Sequence, residues 1–459
     1  MTEQQHSKNR LYRIWIALFG GLIVIGGLAS ELLSYSPGYG AYQIWIIVLG
    51  FLIVVLSLFK SDSIFFSITM IIMAVVFMLL PLEMLAKLYL SLNPTVSNWW
   101  QDYMIDDDLI HHRMLPNAID HDSNGWRNPT ALDNANIVVI GDSQTWGSNV
   151  SRDEAWAMVL GDTLDDSVYS LAQPAYGVAD YYTLFNHEAL ALNPQMIIIG
   201  LYFGNDLVDT TSRVYDREGY QAWRDTQIDT ARLAESEQEI ISTIERERQV
   251  WIPPETEENE SLWLIVRDTT NIGRLLYRLN LWSDFTSNTS IASLYDNLPI
   301  NDPHRFDIYS DDSQAIYFYP RIRSAVMDLD YSAVTEGNRL AHDLLADMQS
   351  TANTYNIDLV VVFIPTKELV YANLVQVQHG ELSPSYTRLL ALETTLRDDY
   401  LEFLNQLDIS VIDGLVPLRQ AAEAGEIIYP ELDGHPIAKG YQRLGEYIAE
   451  ELQQIDTAK

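Results

Sequence analysis

Residues 137–147, IVVIGDSQTWG, join an apolar run to a polar turn. The run consists of β-branched residues, which are typical of a buried strand. The turn contains Ser143, and a helical pattern follows after S-R-D-E at 151–154, which has the spacing of a capping box. Open α/β sheets bind their ligands beyond the carboxyl ends of their strands. The stretch therefore predicts that the Ser143 hydroxyl lies at the ligand-binding edge of a sheet.

Strand and helix patterns alternate through the rest of the chain. Short apolar runs predict four further strands, near residues 167–172, 196–203, 359–364 and 409–412. Apolar residues at helical spacing lie between these runs and after the last of them. Alternation of this kind implies the α/β class, with a mainly parallel sheet and helices on both faces. Residues 207–330 interrupt the alternation, and we interpret them as an insertion that serves as a lid or as a docking surface for a partner.

The composition excludes several classes of function. The chain has 459 residues, of which 63 are acidic and 28 basic, and its formal net charge is −35. Nucleic acid is not an expected partner, because phosphate binding needs clustered Lys and Arg. The same balance argues against a basic patch that docks on anionic lipid. The absence of cysteine excludes disulfides, thiol catalysis and Cys-ligated metals.

Three apolar runs near the N-terminus predict a membrane anchor within residues 1–91. They cover residues 14–33, 40–59 and 64–82, and each is close to the ~20 residues that a helix needs to cross a bilayer. Basic residues precede the first run and separate the second from the third. The positive-inside rule therefore places the N-terminus in the cytoplasm and everything after the third run outside it. A cleaved signal peptide within the first run is the alternative, and it leaves the downstream domain on the same side.

Residues 92–133 are predicted to connect the anchor to a domain that covers residues 134–455. This connector contains three aspartates at 106–108 and two histidines at 111–112. These residue types can bind metals, but no ligand spacing recurs. We therefore interpret the segment as a solvated acidic loop and expect no metal site.

His435 is the candidate base for Ser143. A serine hydroxyl becomes a good nucleophile only when a base takes its proton and a third group orients that base. His435 lies in LDGHP at 432–436, just before the last predicted helix. Residues two apart in an extended loop point the same way, so Asp433 can hydrogen-bond one ring nitrogen while the other faces Ser143. Glu431 is a weaker candidate for the orienting acid.

The same sheet edge offers donors for an oxyanion hole, which must face the charge that develops on a carbonyl oxygen. The Ser143 backbone N–H lies at the strand-to-helix turn. Asn205 follows the strand near 196–203 and supplies a side-chain amide, and the loop at 173–177 can supply a backbone N–H. We therefore expect these three elements to lie at one edge of the sheet.

Three motifs together resemble those of the SGNH/GDSL hydrolase family: GDS at 141–143, GND at 204–206 and DGH at 433–435. The resemblance covers roughly residues 134–452, with the insertion unmatched. It implies a flavodoxin-like three-layer α/β/α fold, and ester hydrolysis or acyl transfer through an acyl-serine, with no metal or cofactor. It also implies roles for four side chains: Ser143 as nucleophile, His435 as base, Asp433 as its orienting acid and Asn205 in the oxyanion hole.

The sequence departs from the family pattern at three places. The acid lies two residues before His435, where the family often has it three residues before. Gln144 follows the nucleophile, where leucine is common. The glycine of the second family motif is ambiguous, because counting from the strand end places Ala175 there, whereas Gly177 is the nearest glycine. Both are therefore candidate backbone donors of the oxyanion hole.

The anchor, the GWRN stretch at 125–128 and the PTKE stretch at 365–368 resemble a bacterial cell-envelope branch of the family. The resemblance implies a membrane-anchored serine esterase, with O-acyl esters of a carbohydrate or lipid, acetyl esters above all, as expected substrates. Two alternatives stay open. One is an O-acetyltransferase that modifies a cell-envelope polysaccharide alongside glycan-assembly proteins, and the other is a non-catalytic glycan-binding or scaffold protein that has kept the fold.

Overall fold

Two helices cover most of the first two apolar runs. The computed structural model describes residues 3–29, 41–57, 81–82, 85–86, 88–89, 104–107, 109–118, 120–249 and 303–458. The helices are α1 (Glu3–Ala29) and α2 (Ala41–Ser57). They approach closely where Gly20 meets Gly50, since a Cβ on Gly20 would lie 2.8 Å from the Gly50 carbonyl oxygen. Small residues permit helix backbones to pack at this distance.

The predicted anchor of three membrane-spanning helices receives no support from the described residues. Within those ranges, none of the helices has both the length and the apolar character needed to cross a bilayer. The third apolar run, residues 64–82, lies outside them except for its last two residues. The anchor stays a prediction made from the sequence.

From residue 104 onward, the described elements belong to one compact unit. Its strands are β1 (Met104–Asp107), β2 (His111–Met114), β3 (Ile137–Gly141), β4 (Val168–Ser170), β5 (Met196–Leu201), β6 (Ile308–Ser310), β7 (Ala315–Tyr317), β8 (Asp358–Phe363) and β9 (Ser410–Asp413). β1 pairs with β2, and β6 with β7, as antiparallel hairpins. The other five strands form a sheet in the order β4-β3-β5-β8-β9, in which every neighbouring pair is parallel.

Helices cover both faces of this sheet. The α-helices in the described part of this unit are α3 (Ser143–Trp146), α4 (Trp156–Leu164), α5 (Val178–Leu184), α6 (Asp206–Asp216), α7 (Thr230–Gln249), α8 (Pro320–Met327), α9 (Ser332–Tyr355), α10 (Lys367–His379), α11 (Pro384–Gln406), α12 (Leu415–Glu423) and α13 (Ala438–Ala458). Apolar residues of α5, α9 and α11 share one core with the sheet, and those of α4 and α13 share another. The expected three-layer α/β/α arrangement is confirmed.

The sequence of β5 explains why two helical layers are needed. Ile197 and Ile199 are fully buried in the core with α9, whereas Ile198 is fully buried in the core with α13. Successive side chains of a strand point to opposite faces, so an unbroken apolar strand must be covered on both sides. Each such side chain contributes about 1.5–3 kcal/mol to the free energy of unfolding.

The strand order creates a crevice at the carboxyl edge of the sheet. Counted within the sheet, the order is 2-1-3-4-5, which is the flavodoxin-like order. The chain leaves β3 to one side to form β4 and returns on the other side to form β5, so the carboxyl ends of β3 and β5 border the switch point. Ser143 follows β3 and Asn205 follows β5. Both predicted site residues therefore lie at this crevice.

The described part of the predicted insertion, 207–330, packs into the domain. Ile240 of α7 is buried in the core that α9 also lines. The Ser212 hydroxyl of α6 donates to Glu237 of α7 at 2.9 Å, and Arg321 of α8 forms an ion pair with Glu247 of α7 at 3.0 Å. Residues 250–302 lie outside the described ranges. Whether the insertion acts as a lid or as a docking surface stays a prediction.

The prediction of a solvated acidic loop at 106–112 is wrong for the residues in this range that the structure describes. These residues form the β1–β2 hairpin, and the side chain of His112 is only 1% exposed. Tyr176 covers it, with the two ring centroids 5.1 Å apart, and the Tyr176 hydroxyl donates to the His112 carbonyl oxygen. The local composition is polar, but strand pairing and the contact with Tyr176 place His112 in the interior of the domain.

Candidate active site

Ser143 is the first residue of α3, a single helical turn that follows β3 directly. Asp142 caps this turn, because its carboxylate accepts a hydrogen bond from the Gln144 N–H at 2.9 Å. Gly141 allows the turn to fold back onto the strand, since a Cβ there would lie 2.2 Å from Thr145 Oγ1. The strand therefore presents Ser143 at the sheet edge, as the sequence predicts.

Ser143, His435 and Asp433 form one chain of hydrogen bonds. His435 Nε2 lies 2.7 Å from Ser143 Oγ, and His435 Nδ1 lies 2.6 Å from Asp433 Oδ1. The backbone N–H of His435 donates to the same carboxylate oxygen at 2.7 Å. Because a carboxylate only accepts hydrogen bonds, Nδ1 carries the ring proton and Nε2 is left to accept the proton of Ser143 Oγ. The structure thus brings together three residues from the two ends of the domain.

Geometry separates the two candidate acids. Asp433 contacts the histidine ring, whereas Glu431 offers its carbonyl oxygen, which accepts from the Tyr317 N–H at 2.9 Å and from Lys367 Nζ at 3.5 Å. Partial desolvation raises the pKa of Asp433, but the hydrogen bonds from the ring and the backbone N–H of His435 more than offset this and hold the pKa of the carboxyl well below its usual range. Asp433 is therefore ionised at neutral pH.

Two amide side chains dock the histidine loop onto the nucleophile segment. Gln144 Nε2 donates to the Gly434 carbonyl oxygen at 3.3 Å, and Asn149 Nδ2 donates to the His435 carbonyl oxygen at 3.0 Å. Gln144 is also the residue that departs from the family pattern after the nucleophile. Its polar side chain gives this position a contact that leucine could not make.

Arg323 of α8 contacts the turn that contains Asn205 and the loop that contains His435. Its Nη1 donates to the Gly204 carbonyl oxygen at 3.2 Å. Its Nη2 lies against Gly434, where a Cβ would be only 2.7 Å away. Sequence reasoning missed this residue, because it lies within the interval interpreted as an insertion and no motif marks it.

Asn205 precedes α6 and lies beside Asp142, the residue before Ser143. Its Nδ2 donates to Asp209 Oδ2 at 2.6 Å, and its amide also interacts with the carboxylate of Asp142. Burial raises the pKa of Asp209 to about 7, although the hydrogen bond from Asn205 opposes the shift. Two carboxylates thus orient the amide that the sequence assigns to an oxyanion hole.

The two candidates for the backbone donor differ in their surroundings. The Gly177 N–H is already used, because it donates to Asp180 Oδ2 at 3.1 Å. Glycine is required there for space, since a Cβ would lie 2.7 Å from the Thr210 nitrogen. Ala175 has a positive φ of 60°, and its N–H has no acceptor among the described residues. Ala175 is therefore the candidate whose N–H is not already donating within the described residues, and its role as a donor stays a prediction.

The PTKE stretch supports the fold at the carboxyl end of β8. The Thr366 hydroxyl accepts from the Leu369 N–H at 3.1 Å, which caps α10, and the Thr366 N–H donates to Glu393 at 3.0 Å. Lys367 is only 1% exposed, and burial lowers its pKa to about 8. Its contact with the Glu431 carbonyl oxygen links this stretch to the loop that contains Asp433.

The residues considered for a metal site have other partners or are buried. Asp107 forms an ion pair with Arg113 at 2.6 Å. Burial lowers the pKa of His111 and of His112 to about 4, so both rings are neutral at pH 7. Within the described ranges, no group of three or more His, Asp or Glu side chains is arranged to hold a metal ion.

Comparison with known proteins finds similarity only among solved structures. No family model and no curated protein matches the chain. A lipolytic protein of the G-D-S-L family from Desulfitobacterium hafniense DCB-2 is 14% identical, with a TM-score of 0.33 over 69% of this chain and 99% of that chain. An acylhydrolase from Bacteroides fragilis NCTC 9343 is 9% identical, with a TM-score of 0.28 over 70% and 86%. A GDSL-like lipase from Bacteroides thetaiotaomicron VPI-5482 is 9% identical, with a TM-score of 0.28 over 70% and 88%. Similarity at this level does not establish family membership.

Proposed function

We propose that the protein is a serine hydrolase. More particularly, it is an esterase of the SGNH/GDSL type that cleaves O-acyl esters through an acyl-serine. The observation that carries the proposal is the hydrogen-bonded chain from Ser143 through His435 to Asp433. In the first step, Ser143 Oγ attacks the ester carbonyl carbon while His435 Nε2 takes the hydroxyl proton. The Asp433 carboxylate stabilises the imidazolium that forms.

The developing oxyanion needs donors that are already in place. We assign two of these donors to the backbone N–H groups of Ser143 and Ala175 and a third to the side-chain amide of Asn205. As the tetrahedral intermediate collapses, the ester C–O bond breaks and His435 returns its proton to the leaving alcohol. Water then attacks the acyl-serine with His435 again as the base, which releases the acid and regenerates the Ser143 hydroxyl.

Labelling with a fluorophosphonate tests the nucleophile. A fluorophosphonate probe should phosphonylate Ser143 in the purified full-length chain, and Ser143→Ala should remove the label completely. Ser350→Ala is the matched control, because Ser350 is exposed on α9, and it should label like the unmodified protein. His435→Ala should slow labelling by about 10²-fold or more, since the general base is lost. Labelling that persists in Ser143→Ala would contradict the proposal.

Short-chain acyl esters of a cell-envelope carbohydrate are the proposed substrates, and the proposed setting is the outer face of a membrane. The apolar runs within residues 1–91 and the basic residues that flank them support this setting, together with the motif resemblance. A reporter fused after Tyr89 should be active only outside the cytoplasm. A reporter that is active only in the cytoplasm would overturn the location and leave the chemistry untouched.

An O-acetyltransferase shares every step up to the acyl-serine with the esterase. The two activities differ only in whether water or a sugar hydroxyl takes the acyl group. Product analysis with an activated acetyl ester separates them, in the presence and absence of an oligosaccharide acceptor. We expect free acetate as the main product in both cases. Acetylated oligosaccharide as the main product would assign transfer instead.

A further inference from the structure

Arg127, in the GWRN stretch, is a buried arginine that contacts the segment directly after the nucleophile. Its side chain is only 4% exposed. Nη1 donates to the carbonyl oxygens of Trp146 at 2.7 Å and of Gly147 at 2.6 Å, and Nη2 donates to that of Val150 at 2.6 Å. Trp146 is the last residue of α3, and Gly147 is its C-cap. One guanidinium therefore binds three carbonyl groups at the end of the helical turn that begins with Ser143.

This contact supplies what α3 lacks. The last carbonyl groups of a helix have no partner within it, and a helix of four residues is too short to be stable alone. A cation at the C-terminal end also opposes the partial negative charge there. The guanidinium stacks on the Trp146 ring at 3.9 Å from its centroid, which restricts the turn further. Asp120 forms an ion pair with Arg127 at 3.1 Å and so compensates the buried charge.

The same stretch also holds the segment that leads to Ala175. Asn128 binds the backbone of Ser170 twice, because its Oδ1 accepts from the Ser170 N–H at 2.8 Å and its Nδ2 donates to the carbonyl oxygen at 2.9 Å. Gln173 Nε2 donates to the Gly125 carbonyl oxygen at 3.2 Å. Residues 125–128 therefore contact both segments from which the proposed nucleophile and its backbone donors come.

We propose that Arg127 is a positioning residue for ester cleavage, which acts through α3 to keep Ser143 Oγ within hydrogen-bonding distance of His435 Nε2. This inference rests on the proposed function of Ser143. An arginine is needed because its planar fork reaches three carbonyl oxygens at once, whereas the single ammonium of lysine cannot hold them in the same plane. A displacement of Ser143 by about 1 Å is enough to lower kcat by up to 10²-fold.

The test compares Arg127→Lys with Arg224→Lys in the full-length chain. Arg224 is a matched control, because its guanidinium binds the carbonyl oxygens of Val214 and Arg217 at the end of α6, away from Ser143. With p-nitrophenyl acetate, Arg127→Lys should lower kcat at least about tenfold and leave KM within about twofold. The rate of phosphonylation by the fluorophosphonate should fall by the same factor, since it also needs the attack of Ser143. Arg224→Lys should change neither rate at a comparable thermal midpoint.

Asp120→Asn is the second variant, and it loosens Arg127 without removing the guanidinium. It should give a smaller loss of kcat, again with KM unchanged. A kcat for Arg127→Lys within about twofold of the unmodified protein would overturn the inference, and so would an equal loss in Arg224→Lys. If neither Arg127→Lys nor Asp120→Asn folds, the stretch serves folding and the inference is wrong. Failure of the proposed function is distinct, because Ser143→Ala would then keep full activity.

Discussion

A single oxygen of Asp433 accepts hydrogen bonds from both the ring and the backbone N–H of His435. This double contact holds the ring in one orientation, with Nε2 toward Ser143. Asp433 itself is 49% exposed at the side chain, so its value to the site lies in geometry more than in a strongly desolvated charge. The acid lies only two residues before the base, and this spacing permits the contact because the backbone N–H of His435 donates to the same carboxylate.

Asp433→Asn should therefore lower kcat by about 10²–10⁴-fold, because the amide can donate to Nδ1 and favour the wrong histidine tautomer. Glu431→Gln is the matched control, since Glu431 meets the site only through its carbonyl oxygen. Steady-state hydrolysis of p-nitrophenyl acetate measures both variants. Equal losses in the two variants would contradict the assignment of Asp433 as the orienting acid.

Substitutions at Ala175 and Gly177 also test which of the two supplies the backbone donor. Ala175→Gly should keep esterase activity, because glycine adopts the positive φ easily and retains the backbone N–H. Gly177→Ala should lower the free energy of unfolding by about 1–3 kcal/mol, since its Cβ would lie 2.7 Å from the Thr210 backbone nitrogen. Urea unfolding and ester hydrolysis are the measurements. A clear loss of kcat in Gly177→Ala, with the free energy of unfolding unchanged, would reopen the role of Gly177 as a donor.

At the scale of elements, the structure shows how short segments acquire order from long-range contacts. α8 has eight residues, yet Arg323 from this helix contacts both the Gly204 turn and the Gly434 loop. The long helices are different, because their apolar periodicity is visible locally. Apolar residues at helical spacing follow the last predicted strand, and α13 (Ala438–Ala458) lies there. Length therefore decides which helices local patterns reveal.

Arg323→Met should lower kcat about tenfold or more, because the turn that contains Asn205 and the loop that contains His435 both lose a common contact. Arg321→Met, on the same helix, is the matched control, since Arg321 pairs with Glu247 instead. Thermal unfolding should show similar midpoints for the two variants. The interpretation fails if Arg321→Met loses as much activity as Arg323→Met at equal stability.

In the whole molecule, buried carboxylates should increase the free energy of unfolding as the pH falls from 7 toward 4. Burial raises the pKa of Asp180 to about 6 and that of Asp209 to about 7, whereas the unfolded value is 3.8. Between pH 4 and 7 the folded state thus binds more protons than the unfolded state, so these groups add stability as the pH falls. Asp433 has a lowered pKa and acts oppositely, and its contribution is lost only below pH 4.

Asp209→Asn isolates one of these groups. The free energy of unfolding of the unmodified protein should rise as the pH falls from 7 to 5. In the variant this rise should be smaller by roughly 1 kcal/mol per pH unit. Asp162→Asn is the control, because Asp162 is exposed on α4. Urea unfolding at pH 5, 6 and 7 measures the slope. A slope unchanged by Asp209→Asn would show that Asp209 is ionised throughout this range.

Local sequence determined the five strands of the parallel sheet and the long helices, and it named the candidate side chains of the site. β3 spans 137–141 and β8 spans 358–363, close to the runs that predict them, because strand alternation and helix periodicity depend on neighbours along the chain. The motifs GDS, GND and DGH also indicate ester hydrolysis or acyl transfer before any contact is known. The proposed roles of Ser143, Asn205, Asp433 and His435 stay predictions, although the structure brings these residues to one crevice.

Tertiary structure decided which of these groups meet and what holds them. Ser143 and His435 lie 292 residues apart, and no local pattern contains the 2.7 Å between them. The lack of space for a side chain at Gly177 depends on Thr210, and the contact of Arg127 with α3 depends on how the connector folds. Such contacts join segments that are distant along the chain, so they leave no periodicity in the sequence. Only the packed fold reveals them.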